Sequence, residues 1–164
     1  MSAAAELAGT LDARGFTVSA PSDHPVLGGA ESRWVAPQHL VAAAEAVKTA
    51  GFWFESMTCV DRLEARGAFE LIYTFNRWDA PARLFLRVDI PKGQAAPTLS
   101  FLWSGCNWNE REAWEFFGLE FAGHPYLTWL LLPEGTEYRP LLKTFTEPPP
   151  SIFDRKLPAE GMVR

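Results

Sequence analysis

Apolar residues recur at two different periods along this chain, and the switches between them mark its elements. Leu7 and Leu11 stand four apart among charged neighbours from Ala3 to Arg14. That spacing is one face of a short amphipathic helix, and Gly15 supplies its stop. Leu40, Ala43, Ala44 and Val47 repeat such a face between Pro37, which suits a first helical turn, and Gly51. Elsewhere the pattern shortens. Phe16-Thr-Val and Arg33-Trp-Val-Ala read as brief strands, with Pro21, His24, Pro25 and Gly28-Gly29 marking a loop between them. Phe52 to Asp61 is rich in aromatic and β-branched residues and predicts a longer strand. After a turn at Glu64 to Gly67, Phe69-Glu-Leu-Ile-Tyr-Thr-Phe alternates as its hairpin partner. From Arg83 to Asp89, Leu84, Leu86 and Val88 share one face while Arg83, Phe85, Arg87 and Asp89 share the other, the pattern of a half-buried antiparallel strand.

The most specific stretch follows. Pro91 to Pro97 reads as a loop, and Thr98 to Trp103 as a short strand or extended lead-in. From Asn107 a helix is predicted, with Asn107 capping its first turn, Glu110 completing a capping box, and Gly118 stopping it. Two helices ahead of three sequential strands predict an α+β single domain: three to five mostly antiparallel strands, helices on one face, the other face free to meet a partner. Residues 1–125 form this core, ending at a Gly-His-Pro corner. Residues 126–164 form an extended arm, since Pro133, Pro140 and Pro148-Pro-Pro150 interrupt every apolar run there. Such an arm is expected to lie on another subunit.

Composition narrows the function classes. The chain has 164 residues, 48% of them hydrophobic, with 7 tryptophans and 12 phenylalanines, enough for one buried core. Its net charge of −5 and pI near 5.2 disfavour a nucleic-acid binder, whose affinity rests on basic groups. Between Asn107 and Glu137 six glutamates face Arg111 alone, so a basic partner is expected. No signal peptide is read at the N-terminus, and no apolar run approaches the roughly 20 residues that span a bilayer. A cytoplasmic chain is expected, with membrane contact only through a partner.

Candidate chemistry is sparse. Cys59 and Cys106 lack metal-ligand spacing and read as buried thiols. The glutamates near the specific helix invite a carboxylate–metal site, but Glu120 and His124 are four apart across Gly123, where paired Glu-x-x-His motifs would be needed. Arg111 and Glu115 are spaced for an intrahelical ion pair. His124 has no nucleophile beside it and reads as a hydrogen-bonded corner. No phosphate loop, dinucleotide fingerprint or serine-hydrolase elbow is present. The residues therefore point to an interaction subunit, with a carboxylate–metal enzyme as the competing reading.

Five blocks in register then carry a resemblance: Glu110-Arg111-Glu112, Phe117-Gly118-Leu119, Gly123-His124-Pro125, Leu131-Leu132-Pro133, and Pro140-Leu141 with Lys143. Together they resemble the C-subunit family of proton-pumping NADH-quinone oxidoreductase, respiratory complex I, with Thr58 to Asp61 matching a strand end upstream. Glu115 stands where that family usually has aspartate, and Tyr126, Thr128, Trp129, Leu142 and Thr144 stand where charged residues are usual. The resemblance implies a peripheral-arm subunit on the cytoplasmic side of the membrane, with no catalytic centre and no cofactor of its own. NADH, quinone, FMN and iron–sulfur clusters would belong to partner subunits. It further implies packing on the large quinone-site subunit and neighbouring peripheral-arm subunits. The interface would use Trp108, Glu110, Arg111, Glu112, Trp114, Phe117, Gly118, His124, Pro125, Trp129 and Lys143. The alternatives are the equivalent subunit of a membrane-bound hydrogenase complex and a free-standing ligand-binding domain.

Overall fold

Helix α1 (Ala3–Ala13) begins where the Ser2 hydroxyl accepts the Ala5 N–H, and it buries Leu7 and Leu11. A computed structural model describes residues 2–21, 31–79 and 82–146. The expected loop around His24 and Gly28-Gly29, and the Pro148-Pro-Pro150 run, lie outside the described residues. Strands β1 (Thr17–Val18) and β2 (Glu31–Val35) come next, then a 3-10 turn at Pro37–His39 that runs into α2 (Leu40–Thr49). Strand β3 (Trp53–Arg62), the single turn α3 (Leu63–Arg66), β4 (Ala68–Asn76) and β5 (Arg83–Pro91) form a meander.

The sheet order is β1-β2-β5-β4-β3. All pairings in it are antiparallel save one, since β2 lies parallel to β5. This is the α+β architecture that the pattern predicts. The parallel pairing was beyond the pattern, because period two reports which face a residue occupies and says nothing of a neighbour some fifty residues away.

One sheet face is apolar. Met57 and Cys59 on β3, Leu71, Tyr73 and Phe75 on β4, and Leu84, Leu86, Val88 and Ile90 on β5 lie side by side. They close with Leu7, Leu11, Leu40 and Val47 into one core. Helix α4 (Ser104–Phe117) adds Cys106 and Ala113 to the same core and packs on β3. Its α-helical run begins three residues before Asn107, after Trp103, with no side-chain cap. The expected capping box is therefore absent: Asn107 sits inside the helix, and Glu110 is used elsewhere. Gly118 does end the helix, at φ 76°. A side chain there would also crowd Arg139, whose Nε lies 3.2 Å from the position of a Cβ.

Two further expectations change. Residues 100–102 form a turn rather than a strand, while Ala96–Pro97 (β6) pairs in parallel with Phe121–Ala122 (β7). That pair fastens the two ends of the α4 segment together. The sheet face opposite the core is not the bare surface that alternation suggests. Arg87 and Glu70 are fully buried there. Glu70 accepts hydrogen bonds from Arg87, Arg66 and Arg62, and Arg66 also reaches Asp89. Trp34 stacks against Arg87 and Arg66, whose guanidinium carbons lie 4.6 and 5.1 Å from its ring centre. Burial raises the Glu70 carboxyl, but the bonds from Arg87 and Arg66, the Arg87 charge and the bond from Arg62 outweigh it and hold it below its ordinary value.

Candidate functional site

Residues 126–146 run along α4 as a strap, and two charged side chains of the helix, Glu115 and Arg111, hold it. Glu115 is fully buried. Its carboxylate accepts the backbone N–H groups of Leu130, Leu131 and Leu132 at 2.9–3.3 Å. Three consecutive amides converging on one carboxylate form an anion nest, and charge-assisted bonds of this kind are about twice as strong as neutral ones. One turn earlier, Arg111 donates to the carbonyls of Thr128 (3.0 Å) and Trp129 (2.6 Å). The intrahelical Arg111–Glu115 pair expected from their spacing is not formed. Both groups turn to the strap, where buried backbone would otherwise lack partners.

The strap's far end is tied to the sheet. Asp61, at the end of β3 and 4% exposed, accepts the Leu63 N–H with one oxygen and the Lys143 N–H with the other, at 2.8 and 2.9 Å. Leu141 donates its N–H to the Phe116 carbonyl, and Leu127 and Leu142 pack on the core.

Aromatic rings complete the joint. Arg111 lies over the rings of both Trp108 and Tyr126, 5.4 and 5.5 Å from their centres. Arg139 lies over both Trp114 and Trp129, 5.7 and 5.6 Å from their centres, while the two rings meet each other at 5.1 Å. Planar guanidinium groups stack well on such faces. The outer members stay open: Trp108 is 59% exposed, Tyr126 63% and Leu131 64%. Glu112, Glu120, Glu134 and Glu137 are exposed as well, and Glu120 accepts the Trp114 Nε1–H at 3.1 Å.

Beneath the helix Glu110 is fully buried and faces the other way, accepting the Leu99 N–H at 2.7 Å and the Thr98 hydroxyl. Burial pushes its carboxyl up to about 7, against the lowering effect of those two bonds. His124, its side chain also buried, lies with Nε2 3.8 Å from Glu110 Oε2. Its Nδ1 accepts the Tyr126 N–H, which makes it the hydrogen-bonded corner that the sequence suggests.

The geometry sorts the sequence-derived candidates. Glu110, Arg111 and His124 are committed to contacts within the chain. Phe117 packs edge-on against Phe69, and Trp114 and Trp129 meet each other as well as Arg139. Trp108, Glu112, Pro125 and Lys143 are exposed. Sequence reasoning missed Glu115 as the strap's anchor, along with Tyr126, Leu131, Arg139 and Asp61. The composition of 130–132 carries no sign that its amides need an acceptor, so spacing gave no route to Glu115. Among the described residues no group of three or more His, Cys, Asp or Glu side chains is placed to hold a metal.

Fold and site together define an α+β domain whose surface helix is strapped down by the chain's own C-terminal segment. Comparison with known proteins gives that class its family. The chain belongs to the family described as respiratory-chain NADH dehydrogenase, 30 Kd subunit, whose model matches residues 33–150. A relative from Roseiflexus sp. (strain RS-1), the C subunit of an NADH-quinone oxidoreductase, is 34% identical over 128 residues, covering 72% of this chain and 74% of the relative. The J subunit of an NAD(P)H-quinone oxidoreductase from Prochlorococcus marinus (strain MIT 9211) is 31% identical over 130 residues, 73% of this chain and 71% of its own. A third, the C/D subunit of an NADH-quinone oxidoreductase from Sulfurihydrogenibium sp. (strain YO3AOP1), is 46% identical over 68 residues. That match covers 42% of this chain and 12% of the much longer relative. The solved structure of an archaeal membrane-bound sulfane sulfur reductase, described as a respiratory membrane complex, contains a chain of the same fold. Its TM-score is 0.70 at 19% identity, over 87% of this chain and 84% of that one.

Proposed function

We propose that the chain is a non-catalytic peripheral-arm subunit of a proton-pumping NADH-quinone oxidoreductase, supporting electron transfer from NADH to quinone by holding its neighbours in place. Family membership over residues 33–150 supports the complex. The observation that carries the structural role is the strapped helix. Its buried charged groups, Glu110, Arg111 and Glu115, are spent on the chain's own backbone, and the joint offers outward Trp108, Tyr126 and Leu131, with the carboxylate of Glu112 also exposed on the helix. Exposed aromatic residues stiffened by stacking are suited to anchor a protein contact. The partner for this face is the large quinone-site subunit, presenting apolar pockets with basic groups around them. Relatives named as C/D subunits support that pairing. FMN, iron–sulfur clusters and the quinone site are assigned to other subunits, and the chain to the cytoplasmic side of the membrane. Membrane contact is likewise assigned to those neighbours; no helix among the described residues is long and apolar enough to cross a bilayer.

Affinity purification of the tagged chain in mild detergent, with identification of what accompanies it, tests the reading. The expected companions are the large subunit and other peripheral-arm subunits. The double variant Trp108→Ala/Tyr126→Ala should recover them several-fold less well while keeping its own fold. A chain purified as a lone, stable monomer would refute the proposal, and a large subunit bearing nickel ligands would transfer it to a hydrogenase complex.

A further inference from the structure

Glu110 and His124 stand apart from the strap's other polar groups because their mutual contact is incomplete. The Nδ1 of His124 is occupied as an acceptor by the Tyr126 N–H. The neutral imidazole therefore carries its proton on Nε2, and that nitrogen is buried with no hydrogen bond of ordinary geometry, the Asn107 carbonyl being the backbone acceptor that acts on it. Glu110 Oε2 lies 3.8 Å from Nε2, beyond hydrogen-bonding reach. A buried donor this close to a buried acceptor, yet unpaired with it, is a contact with a second, closer arrangement available.

The Thr98 contact of Glu110, made at the same Oε2, accepts either charge state. The Thr98 hydroxyl bonds Glu110 and lies 2.8 Å from the Ser100 hydroxyl, and it also accepts the Ser100 N–H. With Glu110 ionised, Thr98 donates to the carboxylate and Ser100 donates to Thr98. With Glu110 neutral, the carboxyl can donate to Thr98, whose own hydrogen turns to Ser100. Neither state leaves a hydroxyl stranded, so titration does not break this network. The other groups that act on the pair are known. Tyr73 on β4 and Cys106 on α4 feel the Glu110 charge, both held in their neutral forms by burial first and by that charge second. Burial disfavours the His124 cation, hydrogen bonding to the Asn107 carbonyl opposes that effect, and the Arg111 charge adds to it.

We propose that Glu110 and His124 form a proton-responsive clasp: ionisation of Glu110 draws the His124 Nε2–H into a hydrogen bond and tightens the seating of the 123–129 corner on α4. The step releases one proton from the carboxyl to solvent and leaves His124 neutral. The corner carries Tyr126, Thr128 and Trp129, so the strap's first contacts respond to a group they do not touch. Because Glu110 titrates near 7, the clasp operates around neutral pH. It depends on this chain's interior and not on the identity of any partner.

The test is a pH series of NMR spectra on the full chain with labelled histidine, between about pH 5 and pH 9. The His124 ring should stay in its Nε2–H form while that proton's signal shifts with one inflection near neutrality. Over the same interval, exchange protection of the Tyr126 amide, relative to its intrinsic rate at each pH, should rise about two- to tenfold. Both responses should vanish in Glu110→Gln. An unmoved signal in the unsubstituted chain, or the same inflection in the variant, overturns the proposal. Should the variant not fold, the carbon signal of the Glu110 carboxyl in the unsubstituted chain decides. It must titrate together with the His124 signal, and a carboxyl fully ionised below about pH 5 overturns the clasp.

Discussion

Moving a carboxyl from water to the place Glu110 occupies costs its charged form more than its neutral form. The folded chain consequently binds this proton more tightly than the unfolded chain, where the group titrates near 4.5. Its contribution to stability is complete below pH 4.5 and is lost as the pH rises from there through about 7. The interval from 4.5 to about 7 corresponds to on the order of 3 kcal/mol. His124 works in the other direction. Burial lowers its proton affinity from 6.5, so stability present above that value is lost as the pH falls through it. Glu110→Gln should therefore flatten the decline in urea-unfolding free energy above pH 5, and parallel curves for the two proteins would contradict this assignment. Cys59 and Cys106 give a second prediction at this scale. Burial, reinforced for Cys59 by Asp61 and Glu70 and for Cys106 by Glu110, keeps both thiols protonated far above neutrality. A disulfide reagent at pH 8 should leave the native chain unlabelled and react with both thiols once urea unfolds it.

Among the elements, α4 shows how far a motif can be read. Gly118 was legible, because a glycine after a helical run has one common use and the structure gives it a left-handed φ. Asn107 and Glu110 were misleading, since capping-box spacing is equally consistent with two residues inside a helix that starts earlier. Only the turn at 98–100, whose buried amide and hydroxyl need an acceptor, shows where the Glu110 carboxylate goes. Arg111 and Glu115 failed for the same reason: i, i+4 spacing places them side by side, yet a strap brings each of them stronger partners. Replacing Glu115 by Gln should cost about 2–3 kcal/mol, the loss of charge-assisted bonds to three amides. Limited proteolysis provides the check, with new cleavage expected between residues 127 and 133 while the sheet domain stays resistant. Arg111→Ala should open the same segment, through the loss of its two carbonyl contacts.

Over the whole molecule, the sheet carries two interiors of opposite character. The apolar one was readable from alternation on β4 and β5, and the charged one was not. Alternation assigned Arg87 to the outer face correctly but could not show that Glu70 and Trp34 close over it. Buried ion pairs of this kind are costly to break from one side. Glu70→Ala removes the carboxylate that Arg87, Arg66 and Arg62 share, and should destabilise the chain by about 3–5 kcal/mol in thermal or urea unfolding. Since that carboxyl is held below its ordinary 4.5, its contribution is present above 4.5 and is lost as the pH falls below it. Acid unfolding should accordingly begin at higher pH in variants of the arginines than in the unsubstituted chain.

The strap also imposes an order in time. The sheet and α4 precede residues 126–146 in the chain, so they leave the ribosome before the amides that satisfy Glu115 and the carbonyls that satisfy Arg111. Until those residues emerge, the helix exposes an unsatisfied glutamate and arginine, and Trp108 stands without Tyr126 and Leu131. A chain cut short before residue 126 therefore lacks Tyr126 and Leu131, and under the proposed function it should be recovered with fewer partners than the full chain.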